Sequence, residues 1–380
     1  MNRVKFGDVV QEIKINVDRT TDDHEYFIAG EHMDSSNIHI TRRGRFSESD
    51  VGPAFIRLFR PGHVLYGSRR TYLRKVAVAD FEGITSNTTF VLETKDSNRL
   101  LQELLPYIML TDRFSEYAIN NSKGSTNPYI LFKDLAAYEF DLPTIEEQRQ
   151  LVVLLSACDR AKEAYKRLLK QTDEVVKSQF VEMFGDPVNN EKEWPTYRFS
   201  DVAVSRLGKM LDKRKQTGLW QRRYLANANV QWFSFDLQNL NQMDFDEADQ
   251  KEFELRDGDL LVCEGGEIGR CAIWHGELTD CYFQKAIHRV RCSPEVLLPE
   301  YLGHSFYYHS QKNGFSDIVS SKSTIAHLPG DKLKAMSIIV PPMELQKRFV
   351  AFLEQSDKSK FELAQAISRI DDMIKALMQG

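Results

Sequence analysis

The residues best suited to chemistry in this chain are cations and small polar groups gathered in short loops. Ser68-Arg69-Arg70-Thr71-Tyr72-Leu73-Arg74-Lys75 puts four cations and an aromatic ring in one short run. Guanidinium forks match both phosphate oxygens and the guanine edge, so the run suits a nucleic-acid contact; a solvated face is the alternative. Ser122-Lys123-Gly124-Ser125-Thr126-Asn127 and Ser320-Ser321-Lys322-Ser323-Thr324 offer small donors with one Lys each, which suits backbone phosphates. Glu264-Gly265-Gly266-Glu267-Ile268-Gly269-Arg270 is acidic instead, and Glu can accept from cytosine N4. A third pair sets Glu31-His32 and Arg42-Arg43-Gly44-Arg45 against Arg222-Arg223-Tyr224 and Asn227-Ala228-Asn229. There Asn suits adenine edges or, equally, the capping of a loop.

Catalytic chemistry finds no comparable footing. Asn127-Pro128-Tyr129 lacks the second proline of the amino-methyltransferase motif, and no glycine-rich cofactor loop precedes it, so it reads as a turn. Gly265-Gly266-Glu267-Ile268-Gly269 lacks the Walker lysine and the dinucleotide-binding order, and reads as a turn between strands. No Pro-Asp is followed by the spaced acid-x-Lys cluster of a restriction nuclease, and His63, His275 and His288 have no fixed partner in the sequence. Cys158, Cys263, Cys271, Cys281 and Cys292 are odd in number and none are two residues apart. That pattern fits buried thiols in a reducing compartment better than a metal site. The expectation is a chain with no catalytic residue, no metal and no cofactor of its own.

What positions these loops is visible as a duplication. Leu142-Pro143-Thr144-Ile145-Glu146-Glu147-Gln148-Arg149 resembles Val340-Pro341-Pro342-Met343-Glu344-Leu345-Gln346-Lys347, and Pro341 follows Pro143 by 198 residues. The same offset relates Ser125-Thr126 to Ser323-Thr324, Leu155 to Leu353, Asp159 to Asp357, Asp173 to Asp371 and Lys177 to Lys375. Upstream, Phe6-Gly7-Asp8-Val9 is echoed by Phe199-Ser200-Asp201-Val202 at a looser spacing. Each half is therefore a variable part followed by a part of fixed length. Leu151, Leu154, Cys158, Ala161, Tyr165, Leu168, Thr172 and Val175 recur at steps of three and four, a heptad seam. Phe349, Phe352, Ser356, Ser359, Leu363, Ala366, Ile370, Met373 and Leu377 repeat it. The first helix should stop near Phe184-Gly185-Asp186-Pro187, where Gly caps and Pro cannot continue. Such rods, about 50 to 60 Å long at ~1.5 Å per residue, are expected to pack on each other antiparallel. The variable parts hold β-branched runs such as Val64-Leu65-Tyr66, Thr88-Thr89-Phe90-Val91-Leu92 and Leu260-Leu261-Val262, with short helices near Leu100–Tyr117 and Pro299–Lys312. The expected class is α+β: two α+β domains, 1–142 and 186–340, joined by helical regions 143–185 and 341–380.

A chain of 380 residues suits two domains, and 42% hydrophobic content is that of an ordinary globular protein. No window reaches the ~18 uninterrupted apolar residues of a membrane span, and the start lacks a secretory signal, so a cytoplasmic protein is expected. A net charge of −5 is unusual for a DNA binder and implies that positive charge is local or comes from partners.

Three pieces together resemble one family. They are Leu142-Pro143 through Glu146-Glu147-Gln148-Arg149, the run Glu182-Met183-Phe184-Gly185-Asp186-Pro187 with Asn190 and Trp194-Pro195, and Pro341-Pro342-Met343-Glu344-Leu345-Gln346. With the duplication they match the specificity subunits of type I restriction-modification systems over essentially the whole chain. Thr144 and Leu345 depart from the usual Pro and Glu. The resemblance implies a pseudo-two-fold subunit whose two target recognition domains each read half of a bipartite, asymmetric site on double-stranded DNA, with the helices setting the spacer. It also implies docking of two methyltransferase subunits that bind S-adenosylmethionine, and of two ATP- and Mg-dependent restriction subunits in the full complex. Glu146, Gln148, Arg149, Glu344, Gln346 and Lys347 are the helix residues expected at the partner surface. The competing reading is a coiled-coil scaffold that organises partners without reading sequence; a self-sufficient methyltransferase is the third.

Overall fold

Alternating apolar and polar residues build the exposed strands of both halves, whereas continuously apolar runs build the strands buried on both faces. The computed structural model describes residues 2–18, 24–212, 214, 216–312, 314–315 and 327–379, in two compact units. The first is Met1–Arg167 with Ala364–Gly380, the second Leu168–Leu363.

In the first unit the strands are β1 (Asn2–Lys5), β2 (Val10–Glu12), β3 (Tyr26–Ile28), β4 (Gly44–Arg45), β5 (Phe55–Phe59), β6 (Val64–Gly67), β7 (Val76–Val78), β8 (Gly83–Ser86), β9 (Thr89–Thr94) and β10 (Glu139–Leu142). They form sheets in the orders β2-β9-β6-β7 and β4-β3-β8-β5, and β1 pairs antiparallel with β10. In the second unit β11 (Thr196–Arg198), β12 (Ala203–Leu207), β13 (Gln221–Leu225), β14 (Val230–Gln231), β15 (Ser234–Phe235), β16 (Asn241–Asp244), β17 (Asp259–Cys263), β18 (Cys271–Trp274), β19 (Cys281–Phe283), β20 (Ile287–Cys292) and β21 (Ser337–Ile339) repeat that plan. The order β12-β20-β17-β18 matches β2-β9-β6-β7, the parallel pair β13-β19 matches β3-β8, and β11-β21 matches β1-β10. Both units are α+β.

Two long helices, Ile145–Phe184 and Met343–Gln379, each contribute one half to each unit. The first starts on a capping box: Thr144 N and Oγ1 donate to Glu147 Oε2 at 2.7 and 2.8 Å. It stops where Gly185 takes φ +76° and the Trp194 indole donates to Phe184 O at 3.0 Å, so the Phe-Gly-Asp-Pro to Trp-Pro motif is a helix cap. Within the first unit Lys162 pairs with Asp371 and Cys158 lies 3.6 Å from Met373; within the second Asp173 pairs with Lys360 at 3.4 Å and Phe180 packs on Phe349. Higher numbers on one helix meet lower numbers on the other, so each pairing is antiparallel.

The first helix keeps only part of the stripe that its periodicity suggests: Cys158 meets Met373 on it and Leu151 packs on the first core, but other positions do not follow. Leu154, Leu168 and Val175 are 50%, 44% and 53% exposed, while Leu155, Val176 and Phe180 one register along are buried. A 3.6-residue turn drifts against a 3.5-residue repeat, and adjacent apolar residues at 152–155 left both registers open. Phe180 sits among Phe184, Tyr308, Phe349 and Tyr301, with ring centroids 5.0 to 5.7 Å away. Among the described residues no helix is long and apolar enough to cross a membrane, and no group of three or more His, Cys, Asp or Glu could hold a metal ion. Cys263, Cys271 and Cys281 are buried, and burial pushes the thiols of Cys263 and Cys281 up to about 11.

Candidate nucleic-acid interface

The first unit brings two of the candidate runs onto one surface. The connection from β6 to β7 is a tight turn in which Arg70 and Arg74 both take left-handed backbone, φ 51° and 49°, around the short helix Thr71–Leu73. Non-glycine residues occupy that region at a cost of roughly 1 kcal/mol each. Beneath it, Lys123 and Tyr129 exchange both backbone hydrogen bonds at 2.8 and 2.9 Å and close a small hairpin with Gly124, Ser125 and Thr126 exposed at its tip. The two loops are joined by Arg70 N to Pro128 O at 2.6 Å, Ile130 N to Ser68 O at 3.0 Å and Arg70 Nε to Asn127 Oδ1 at 3.2 Å.

Not every cation in these loops faces outward. Arg69, Arg70 and Lys123 are exposed, with Tyr72 (53%) and Tyr129 (39%) beside them, though Lys123 pairs with Asp134 at 2.9 Å. Ser68 is buried, its hydroxyl donating to Thr88 O at 2.5 Å. Arg74 turns inward to Asp112 at 2.9 Å and to Leu110 O, and Lys75 donates to Gly30 O. Arg42 pairs with Asp34 at 2.5 Å, and the Arg43 guanidinium lies 3.8 Å above the Tyr26 ring.

The second unit holds the same frame with other side chains. Leu328 N donates to Glu264 O at 2.6 Å, and Gly265 bridges His327 as Arg69 bridges Tyr129. The expected Lys322, Ser323 and Thr324 lie outside the described residues. Asn227 Nδ2 donates to Gly265 O at 2.8 Å, Arg270 Nη2 donates to Asn227 O at 2.9 Å, and Glu267 accepts from the Trp232 indole at 2.6 Å. These hold the loop in shape and leave the Glu267 carboxylate exposed. Asn229 is buried and caps its own turn, accepting from Ala226 N at 2.8 Å. Arg222 pairs with Asp280 at 3.0 Å, and Arg223 donates to Thr279 O at 3.1 Å.

One surface escaped the sequence reading. Asp244 is buried, and burial opposes its charge, but bonds from Thr217 N and Oγ1, Gln221 Nε2 and Gly218 N more than offset this and hold its carboxyl well below the usual range. The carboxylate thus fixes a loop that leaves Leu219 79% exposed beside Trp220, with Met210, Leu211 and Arg214 also exposed. The available signal was the density of cations between Lys209 and Arg223.

Gln148 and Gln346, expected at the partner surface, are fully buried. Gln148 accepts from Leu101 N at 2.9 Å and donates to Arg99 O and Pro143 O at 2.8 and 2.9 Å. Gln346 does the same with Leu298 N, Val296 O and Pro341 O at 2.9, 3.0 and 2.8 Å. With their amides so engaged, both position the start of a long helix. Glu146, Arg149, Glu344 and Lys347 are exposed, and the first two pair at 3.3 Å.

Solved structures share this fold. A chain from a structure on complex assembly and conformational transition of the type I R-M system is 17% identical, with TM-score 0.62, covering 100% of this chain and 96% of that one. The type I restriction-modification S subunit from M. genitalium is 12% identical, with TM-score 0.54, covering 99% and 95%. Among curated proteins, the MjaIX type I specificity subunit of Methanocaldococcus jannaschii is 31% identical over 51% of this chain and 46% of its own length. A putative type I specificity subunit of Haemophilus influenzae is 34% identical over 29% of this chain and 27% of its own length, and the EcoKI specificity subunit of Escherichia coli is 19% identical over 62% and 55%. The matched stretch thus spans between about a quarter and just over half of the length of these curated relatives. A family model described as the type I restriction modification DNA specificity domain matches residues 22–172 and again residues 191–369. Both repeats and most of the sequence fall inside those two matches, and the chain therefore belongs to the type I restriction-modification DNA specificity family.

Proposed function

We propose that each unit reads one half of a bipartite, asymmetric site on double-stranded DNA, and that this chain supplies the sequence specificity of a type I complex while contributing no catalytic residue. The observation that carries the reading is the repeated loop frame: the same backbone bonds, Ile130 N to Ser68 O and Leu328 N to Glu264 O, display Arg69, Arg70 and Tyr129 in one unit and Gly266, Glu267 and His327 in the other. One frame with two side-chain sets is what unlike half-sites require. In the first unit Arg69, Arg70, Tyr72, Lys123, Ser125 and Thr126 face the DNA, and Ser68, Arg74 and Lys75 hold the turn. In the second, Glu264 and Glu267 take the reading position and Arg270 holds the loop, with Lys322, Ser323 and Thr324 against phosphates.

The long helices set the spacer and dock two methyltransferase subunits, a role supported by the exposed apolar side chains of Val153, Leu154, Leu168 and Val175. Glu146 and Arg149 on the first helix and Glu344 and Lys347 on the second are further exposed docking residues. S-adenosylmethionine belongs to those partners, ATP and Mg to two restriction subunits, and the complex works in the cytoplasm.

Replacing Arg69 and Arg70 by Ala and mapping methylated sites in cells carrying the complete system tests this. The half-site read by the first unit should relax, the other half and the spacing should persist, and the salt slope of DNA binding should fall by about two. A pure scaffold predicts an unaltered site and slope, and that outcome sinks the proposal.

A further inference from the structure

The duplication allows the same place to be compared in the two units, and at one place they differ in what fills it. In the first unit a cavity of about 320 Å³ lies among Ser36, Arg74, Tyr107, Leu110, Lys162 and Met378. Offsets of 197 and 198 carry Ser36, Tyr107, Leu110, Lys162 and Met378 to Phe233, His304, Tyr307, Lys360 and Phe180, and the strand pairing gives Arg74 the place of Gly269. Parts of the two frames agree. Ser36 and Phe233 both have positive φ, 54° and 60°, and donate their backbone N–H to Arg74 O at 3.1 Å and to Cys271 O at 2.9 Å. The ion pair of Lys162 with Asp371 recurs as Lys360 with Asp173.

In the second unit rings occupy the place. Phe233 stacks on His304 with centroids 4.3 Å apart and 16° between planes, Tyr307 lies 5.6 Å from Phe233, and Phe180 stacks on His304 at 6.1 Å. In the first unit Ser36, Leu110 and Met378 replace three of those four rings, Tyr107 stands at the position of His304, and the volume is open. Its size falls at the lower end of the ~300–1,000 Å³ of small-molecule sites.

Two features define the ligand. Arg74 lines the cavity at the place where the second unit has Gly269, and its Nε is buried with no hydrogen-bond partner, so the first unit's wall carries a donor in need of an acceptor. Each charged side chain on the cavity wall already has a partner: Asp112 holds Arg74 and Lys375, Asp371 holds Lys162, Asp159 holds His39 and Glu163 holds Lys166. A ligand with full charge would have to break one of these pairs. We propose that the first unit's cavity binds a neutral, planar heteroaromatic ring of the nucleobase class, lying where the Phe233 ring lies in the second unit and accepting a hydrogen bond from Arg74 Nε.

Titration calorimetry of the full chain with adenine tests this, with indole as a ring of similar size that offers no acceptor. Adenine should bind with a Kd of about 1 mM or tighter, and indole about tenfold more weakly or worse. Ser36→Phe puts the second unit's filling at a backbone position that Phe233 shows to be compatible with Phe, and should abolish adenine binding without lowering the unfolding temperature; Leu110→Tyr should do the same by a second route. Absence of adenine binding to the unaltered chain overturns the site, as does binding that survives both substitutions. Equal affinity for indole and adenine overturns the role of Arg74.

Discussion

Replacing Gln148 by Leu removes three hydrogen bonds and little volume, and so isolates what the buried amide does. Its partners are the Leu101 amide and the Arg99 and Pro143 carbonyls, at 2.8 to 2.9 Å, with the side chain fully excluded from solvent. At about 1 kcal/mol net per neutral bond the loss is about 3 kcal/mol, more if the orphaned backbone groups stay dry, since each then carries a desolvation cost of ~1–3 kcal/mol. For a unit of about 180 residues, at roughly 2–4 °C per kcal/mol, the first unfolding transition of the full chain should fall by about 6–12 °C. Differential scanning calorimetry reads that shift, and hydrogen exchange locates it, because the Leu101 amide should lose its protection while Leu298, bonded to Gln346 in the second unit, keeps its own. A transition moved by less than about 1 °C with Leu101 still protected would refute the reasoning.

Two histidines should pull the pH dependence in opposite directions. Burial drives His304 down to about 3, so the folded unit holds it neutral while the unfolded chain takes up a proton below about 6.5; stability is full above that value and falls toward acid by roughly 1.4 kcal/mol per pH unit. His304→Phe should flatten the acid limb of an unfolding-temperature profile, and an unchanged limb would contradict the assignment. His39 is raised, first by its hydrogen bond to Asp159 at 2.5 Å, so its contribution is complete below about 6.5 and disappears as pH climbs through the raised folded value. His39→Gln should therefore weaken the first unit at low pH and leave it unaltered at high pH, as urea denaturation at both ends would report. Inserting a heptad into the Ile145–Phe184 helix should lengthen the recognised spacer or abolish recognition; identical methylated sites would remove the helices from the measuring role.

Repetition made the architecture legible. A constant 198-residue spacing survives because each half must rebuild the same contacts: Gln148 and Gln346 make the same three bonds, and Lys162–Asp371 recurs as Lys360–Asp173. The β-branched runs at Val64–Gly67, Thr89–Thr94 and Asp259–Cys263 also became strands, since burial on both faces leaves no polar side to blur the pattern. Helix register was not legible. Choosing between Leu154 and Leu155 depends on which face meets the partner helix, a tertiary fact that periodicity alone does not contain.

Site residues were harder to read, for a reason that Arg70 and Arg74 illustrate. They stand four apart in one basic run and share a left-handed backbone, yet one guanidinium reaches the exposed hairpin through Asn127 and the other turns inward to Asp112. Residue type told both that they could meet phosphate; only the fold decides which has already spent its donors on a protein carboxylate. The same logic removes Asn229, whose amide closes its own turn, and brings in the loop held by Asp244, whose organising carboxylate lies more than twenty residues from the apolar tip that it exposes. In this chain the loops differ between the two halves and the frame is what repeats. Side chains bonded into that frame, such as Ser68, Gln148 and Asn229, are therefore poor candidates for reading bases, and those that the frame merely displays, such as Arg69 and Glu267, are the better ones.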